Sequence, residues 1–139
     1  MINSINSYFL LIYIHIRRNL FYYSFKLNYV WLIGVLILFL SIATAFLVYV
    51  LPWGRISFWG AIVITNLLSA LPYIGQIIVE WLWGGFSINN STSYRFFSFH
   101  FILPLIIIIT VFLHLIVLHI TGSTNPIHSK NCFLSLFYN

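Results

Sequence analysis

Residues 96–120 read FFSFHFILPLIIIITVFLHLIVLHI, and this stretch decides the fold. It runs for 25 residues without an Asp, Glu, Lys or Arg, against the roughly 20 apolar residues needed to cross the hydrocarbon core of a bilayer. Ser98, His100, Pro104, Thr110, His114 and His119 interrupt it without making it too short to span. Working outward, 30–51 is a second run, of 22 residues, in which only Ser41 and Thr44 are clearly polar. The N-terminal run 8–16 is nine residues long and spans only if 1–7, with two asparagines and two serines, is drawn in with it. It reads as the second half of a truncated first span over about 1–22. A signal peptide is the competing reading, but its basic residues should precede the apolar core, whereas Arg17 and Arg18 follow it.

Composition sets the same frame. Of 139 residues, 62% are hydrophobic, 20% aromatic and 5% charged, with a mean hydropathy of +1.04. A soluble domain carries about 25% charged residues, so most of this surface must face something other than water. Aspartate is absent and Glu80 is the lone acid, which leaves no carboxylate pair for general acid/base work and no oxygen cage for a hard metal ion. The net charge of +5 comes from residues at the ends of apolar runs rather than from one basic face, which excludes nucleic acid as a partner. Cys132 is single and no C-x-x-C-H occurs, so covalent haem attachment is excluded too.

The connection 52–95 carries Trp53, Trp59, Trp81 and Trp83, the composition of an interfacial layer. Within it, 55–71 fits a helix lying along the surface that Pro72 ends, and 73–83 a second short helix that Gly84 and Gly85 break; 87–93 reads as a polar loop. Interfacial helices thus cover about 55–83. Arg17, Arg18, Lys26 and Lys130 against Arg55 and Arg95 place the first connection and the C-terminus on the negative side of the membrane. The expected architecture is an all-α membrane protein, a helical bundle with two full spans, a truncated first span and interfacial helices; 127–139 carries no pattern.

Ionisable residues inside a span are functional candidates by default. His100 and His114 are 14 residues apart, within about 40° of one helix face and about 21 Å apart along the axis. His15 lies near the negative-side end of the first segment and faces His114 in an antiparallel arrangement. Each imidazole can simply hydrogen-bond a neighbouring helix. Two opposed imidazoles also suit the axial positions of a low-spin haem iron, while the lack of carboxylates argues against zinc or non-haem iron. By the same construction the partner of His100 falls at Met1, which is not counted as a ligand. His119 is about 140° around the helix from His114, suited either to a quinone headgroup or to snorkelling at the helix end. Gly34 suits either ordinary helix packing or the close approach of a flat macrocycle; Arg18, either a haem propionate or lipid headgroups. His128, in the tail, reads as solvated.

The run 43–52 continuing through Trp53-Gly54, Ser57-Phe58-Trp59-Gly60 and 63–70 resembles mitochondrial cytochrome b. So do Arg95-Phe96-Phe97, 99–104, Leu118-His119, Thr121-Gly122-Ser123 and Asn125-Pro126, and the resemblance covers 8 to about 126. It implies the membrane subunit of ubiquinol:cytochrome c oxidoreductase, respiratory complex III, in the mitochondrial inner membrane. Such a subunit passes electrons from ubiquinol through two b-type haems, beside an iron-sulfur protein and a cytochrome c-type subunit. By position, the resemblance makes His15 and His114 the ligands of one haem, so one bis-His site is complete here, and His100 one ligand of the other. It makes His119 a quinone residue, Arg18 a propionate partner, Gly34 a haem-packing glycine, and Phe46, Tyr49 and Gly60 a wall of the quinol-oxidation pocket. Against the family pattern, Val48 stands in place of a haem-packing glycine, Arg55 in place of glutamine, and Arg17 and Asn19 in place of glycines. Against that pattern the family's first span, the start of its second, and its C-terminal half with the Pro-Glu-Trp-Tyr motif are not in the sequence. The chain therefore reads as a central fragment, 1–126, of a cytochrome b haem-binding domain with a divergent tail. It is expected to work only with the rest of that protein, or else to be a non-catalytic partial segment.

Overall fold

The computed structural model describes residues 2–124; Met1, His128, Lys130, Cys132 and the tail 127–139 lie outside them. The described chain is all helical: α1 (Ile2–Phe21), α2 (Asn28–Val50), α3 (Arg55–Asn66), α4 (Gly75–Trp83) and α5 (Asn90–Thr121), with short 3-10 turns at Ser24–Lys26 and Leu67–Ala70. Two of these, α2 and α5, are long and apolar enough to cross a membrane. Neither is the buried core helix of a soluble protein. Leu32 and Phe39 on α2, and Phe101, Ile109 and Phe112 on α5, are each more than 60% exposed. Rows of large apolar side chains of this kind are at home in hydrocarbon, where the helix also satisfies its own backbone groups.

The segment expected as a truncated first span forms a helix of 20 residues, about 30 Å long. Asn3, Ser4, Asn6 and Ser7 in its first turns leave it less apolar than α2 and α5, and Ser7 Oγ turns back to donate to the Asn3 carbonyl at 2.8 Å.

The described chain divides into two compact units, a first in which 2–38 is joined by 110–124 and a second of 39–109. The second unit, 39–109, holds a packed core of Leu47, Val50, Ala61, Ile88 and Phe96, with Phe46, Trp53 and Trp83 against it. Its buried polar groups close a chain of bonds. Trp83 Nε1 donates to Thr65 Oγ1 at 2.9 Å, Thr65 Oγ1 donates to the Ala61 carbonyl, and Thr92 Oγ1 donates to the Trp83 carbonyl at 2.8 Å. Each such bond contributes about 1 kcal/mol net, and leaving one group buried without its partner costs more. Of the four tryptophans expected in an interfacial layer, Trp59 and Trp81 are exposed, while Trp53 and Trp83 pack on the core and Trp83 satisfies its N–H inside the protein.

The polar stretch expected as a loop over 87–93 also differs. The helix α5 begins at Asn90, because Asn89 Oδ1 accepts from the Ser91 N–H at 2.8 Å while Thr92 Oγ1 accepts from the Asn89 N–H at 3.1 Å. That reciprocal cap satisfies two backbone donors that a helix start leaves open. Gly84 ends α4 with φ of 79°, a left-handed cap that glycine adopts without a steric penalty. Pro104 sits within α5, which continues through it although proline offers no N–H to the His100 carbonyl one turn back.

The first unit is built differently. It comprises α1, the following turn, the start of α2 and the end of α5, and the turn is tied to the other end of the chain by a 2.6 Å bond between Ser24 Oγ and Thr124 Oγ1. Among the described residues its one buried apolar side chain is Val30.

Candidate haem-ligand site

Inside the first unit lies a cavity of about 570 Å³. Its wall includes His15, Arg18 and Asn19 from α1, Val30 and Gly34 from α2, and His114 from α5. The rest of the lining is mostly apolar, with Tyr8, Trp31, Val35, Leu38 and Val111 among it. Cavities of this size, apolar with a few convergent polar groups, are typical of cofactor sites.

His15 and His114 therefore share one cavity, brought to it by two helices from opposite ends of the sequence, and their rings are close enough to interact electrostatically. His114 is held against α2, its Nδ1 buried beside the Val30 backbone. A Cβ on Gly34 would stand 3.3 Å from His114 Cε1, tighter than ordinary contact, so the glycine is what lets this ring lie against the helix. His15 Nε2 lies 3.1 Å from Asn19 Nδ2, one helical turn on. An amide nitrogen only donates, so Nε2 accepts and the ring proton sits on Nδ1. Arg18 reaches the same cavity and lies 5.9 Å from the centre of the Tyr22 ring. No group of three or more His, Cys, Asp or Glu converges among the described residues, so the donor set is the two imidazoles.

The remaining candidates lie elsewhere. His119 is exposed in a separate recess with Leu115, Ile116, Leu118, Gly122 and Ser123. In the second unit His100 has a buried Nδ1 with no hydrogen-bond partner, and the Met1 position that pairs with it in sequence is outside the described residues. Tyr49 and Gly60 meet there, a Cβ on Gly60 falling 3.2 Å from Tyr49 Cε1, while Phe46 turns into the core with its ring centre 6.0 Å from that of Phe96. Sequence reasoning noted Asn19 as a departure and missed its bond to His15. A histidine and an asparagine four apart on one helix is the signal that could have found it.

This fold and donor set belong with a known class: residues 1–122 match the family model described as cytochrome b/b6/petB, and the chain belongs to that family. Among curated relatives it is 66% identical over 128 residues to the cytochrome b of Apis mellifera ligustica. The match takes in 92% of this chain and 33% of the bee protein, so the chain spans about a third of that relative's length.

Proposed function

We propose that the chain carries electrons across the mitochondrial inner membrane between b-type haems, as part of the cytochrome b subunit of respiratory complex III. The observation that carries this reading is the convergence of His15 and His114 on one cavity whose wall is opened by Gly34. The residues present fit a haem. Two neutral imidazoles on separate helices would hold a haem iron, and the Nδ1 of His114, buried beside the Val30 backbone, would leave its Nε2 for the metal. When bound, the haem supplies a reversible one-electron carrier. His15 and His114 would hold it, Arg18 would neutralise a propionate, Gly34 would give it room beside α2, and the mostly apolar lining would limit the water around it.

His100 is one ligand of a second haem whose other ligand comes from outside residues 2–124. His119, in its own recess, is placed to hydrogen-bond a quinone headgroup, and Phe46, Tyr49 and Gly60 contribute one wall of the site where ubiquinol is oxidised. The rest of cytochrome b, an iron-sulfur protein, a cytochrome c-type subunit and membrane lipid are the partners. A second reading, a partial segment without turnover, is favoured by Val48 in place of a glycine and by the idle Nδ1 of His100.

Two measurements separate the readings. The purified chain, loaded with haem in membranes, should show one low-spin bis-imidazole spectrum that His114→Leu abolishes; survival of that spectrum would sink the pairing. Quinol-dependent cytochrome c reduction should be absent for the single chain. It should appear when separate polypeptides supply the remaining portions of cytochrome b, and disappear again with His100→Leu. Failure of any such reconstitution to turn over would favour the second reading.

A further inference from the structure

Asn19 lines the haem-ligand cavity and has no part in the function proposed above, yet its amide touches the atom on which that function depends. Asn19 Nδ2 lies 3.1 Å from His15 Nε2, both side chains face the cavity, and they sit one turn apart on α1. The lone pair of an imidazole nitrogen lies in the ring plane and points away from the ring. A hydrogen-bond donor and a metal ion approach along that same line, and there is one lone pair for both. Among the described residues no such donor meets the opposing ring: His114 lies against Gly34 and the Val30 backbone. The two ligands are thus unequal, one ready and one masked.

We propose that Asn19 is a positioning residue that competes with haem iron for the Nε2 lone pair of His15, so that its amide must swing aside before the second axial bond forms. This rests on the haem reading of the cavity. A contact made only while the ring is unligated stabilises the unligated state alone, so it lowers haem affinity by the factor it contributes to that state. A neutral hydrogen bond at a partly exposed site sets that factor at about two- to tenfold. The consequence would be two unequal ligands, with His114 able to hold the group at once and His15 only when the Asn19 amide has turned away.

The test uses the whole chain in lipid vesicles, titrated with ferric protoporphyrin IX and followed by the low-spin optical band and electron paramagnetic resonance. Asn19→Ala should bind two- to tenfold more tightly with an unchanged low-spin spectrum, and should shorten any high-spin phase that precedes it. Arg17→Ala, a substitution on α1 that does not line the cavity, should leave affinity unchanged; an equal gain there would assign the effect to helix stability and overturn the proposal. Without haem, the 15N resonance of His15 Nε2 should move on Asn19→Ala, since it loses its donor. Equal or weaker binding by Asn19→Ala, with a normal low-spin spectrum in both chains, would overturn the competition and leave the haem site standing. Absence of low-spin haem from both chains, with the 15N shift present, would remove the haem reading itself.

Discussion

The two units of this chain solve the problem of burial in opposite ways. Residues 39–109 bury Leu47, Val50, Ala61, Val79, Ile88 and Phe96 against one another and close their inner polar groups into a bonded chain through Thr65, Trp83 and Thr92. The unit of 2–38 and 110–124 buries Val30 and surrounds a cavity, with the Nδ1 of His114 buried beside the Val30 backbone and the Nε2 of His15 held by Asn19. A packed core of side chains fills the first arrangement. The second leaves a cavity of about 570 Å³, the space that the proposed haem would occupy.

The sharpest way to break this contrast is to load the cavity. A ligand present at a hundred times its dissociation constant stabilises the state that binds it by about 2.7 kcal/mol. Saturating haem should therefore slow amide exchange on α1 and at the end of α5 about a hundredfold while leaving α3 and α4 within about twofold. Equal protection of both units would show that they fold as one. Next in size, Gly34→Val places two methyls where a single Cβ already stands 3.3 Å from His114 Cε1. Overpacking of this kind costs about 1–3 kcal/mol, so haem affinity should fall about tenfold or more while the thermal stability of 39–109 is unchanged.

In the other unit, Thr65→Val removes the acceptor of the Trp83 N–H at nearly constant shape. Chemical denaturation followed by tryptophan fluorescence should show a loss of about 1–3 kcal/mol with no change in haem binding. The smallest effect is expected from His100→Leu. Its buried Nδ1 makes no hydrogen bond, so replacing it leaves no partner stranded, and the low-spin spectrum of the His15 and His114 site should keep its intensity. Loss of that spectrum would mean that the histidines had been paired wrongly.

What the sequence made legible follows from how local each cause is. The helix α2 was readable because an unbroken apolar run has no other stable form in a bilayer, and the gathering of His15 and His114 followed from helical depth and an antiparallel turn. The start of α5 was misread for a physical reason. Asn89, Ser91 and Thr92 are the residues of a polar loop and equally the residues of a helix cap, and composition cannot tell which until their bonds are seen. The bond of Trp83 to Thr65 was not readable, because the two are eighteen residues apart, beyond the reach of any local pattern. The hold of Asn19 on His15 lay within reach, being a single turn of one helix.

The bond between Ser24 and Thr124 joins residues a hundred positions apart, and His15 waits for His114 across nearly the same distance. The ribosome therefore sets a clock on this site. At about 5–20 residues per second, at least some 5–20 s separate emergence of the first wall of the cavity from emergence of the last. Through that interval the whole of 39–109 is synthesised before the second wall of the cavity arrives, and any ribosomal pause between the two histidines lengthens the time for which the first stands alone.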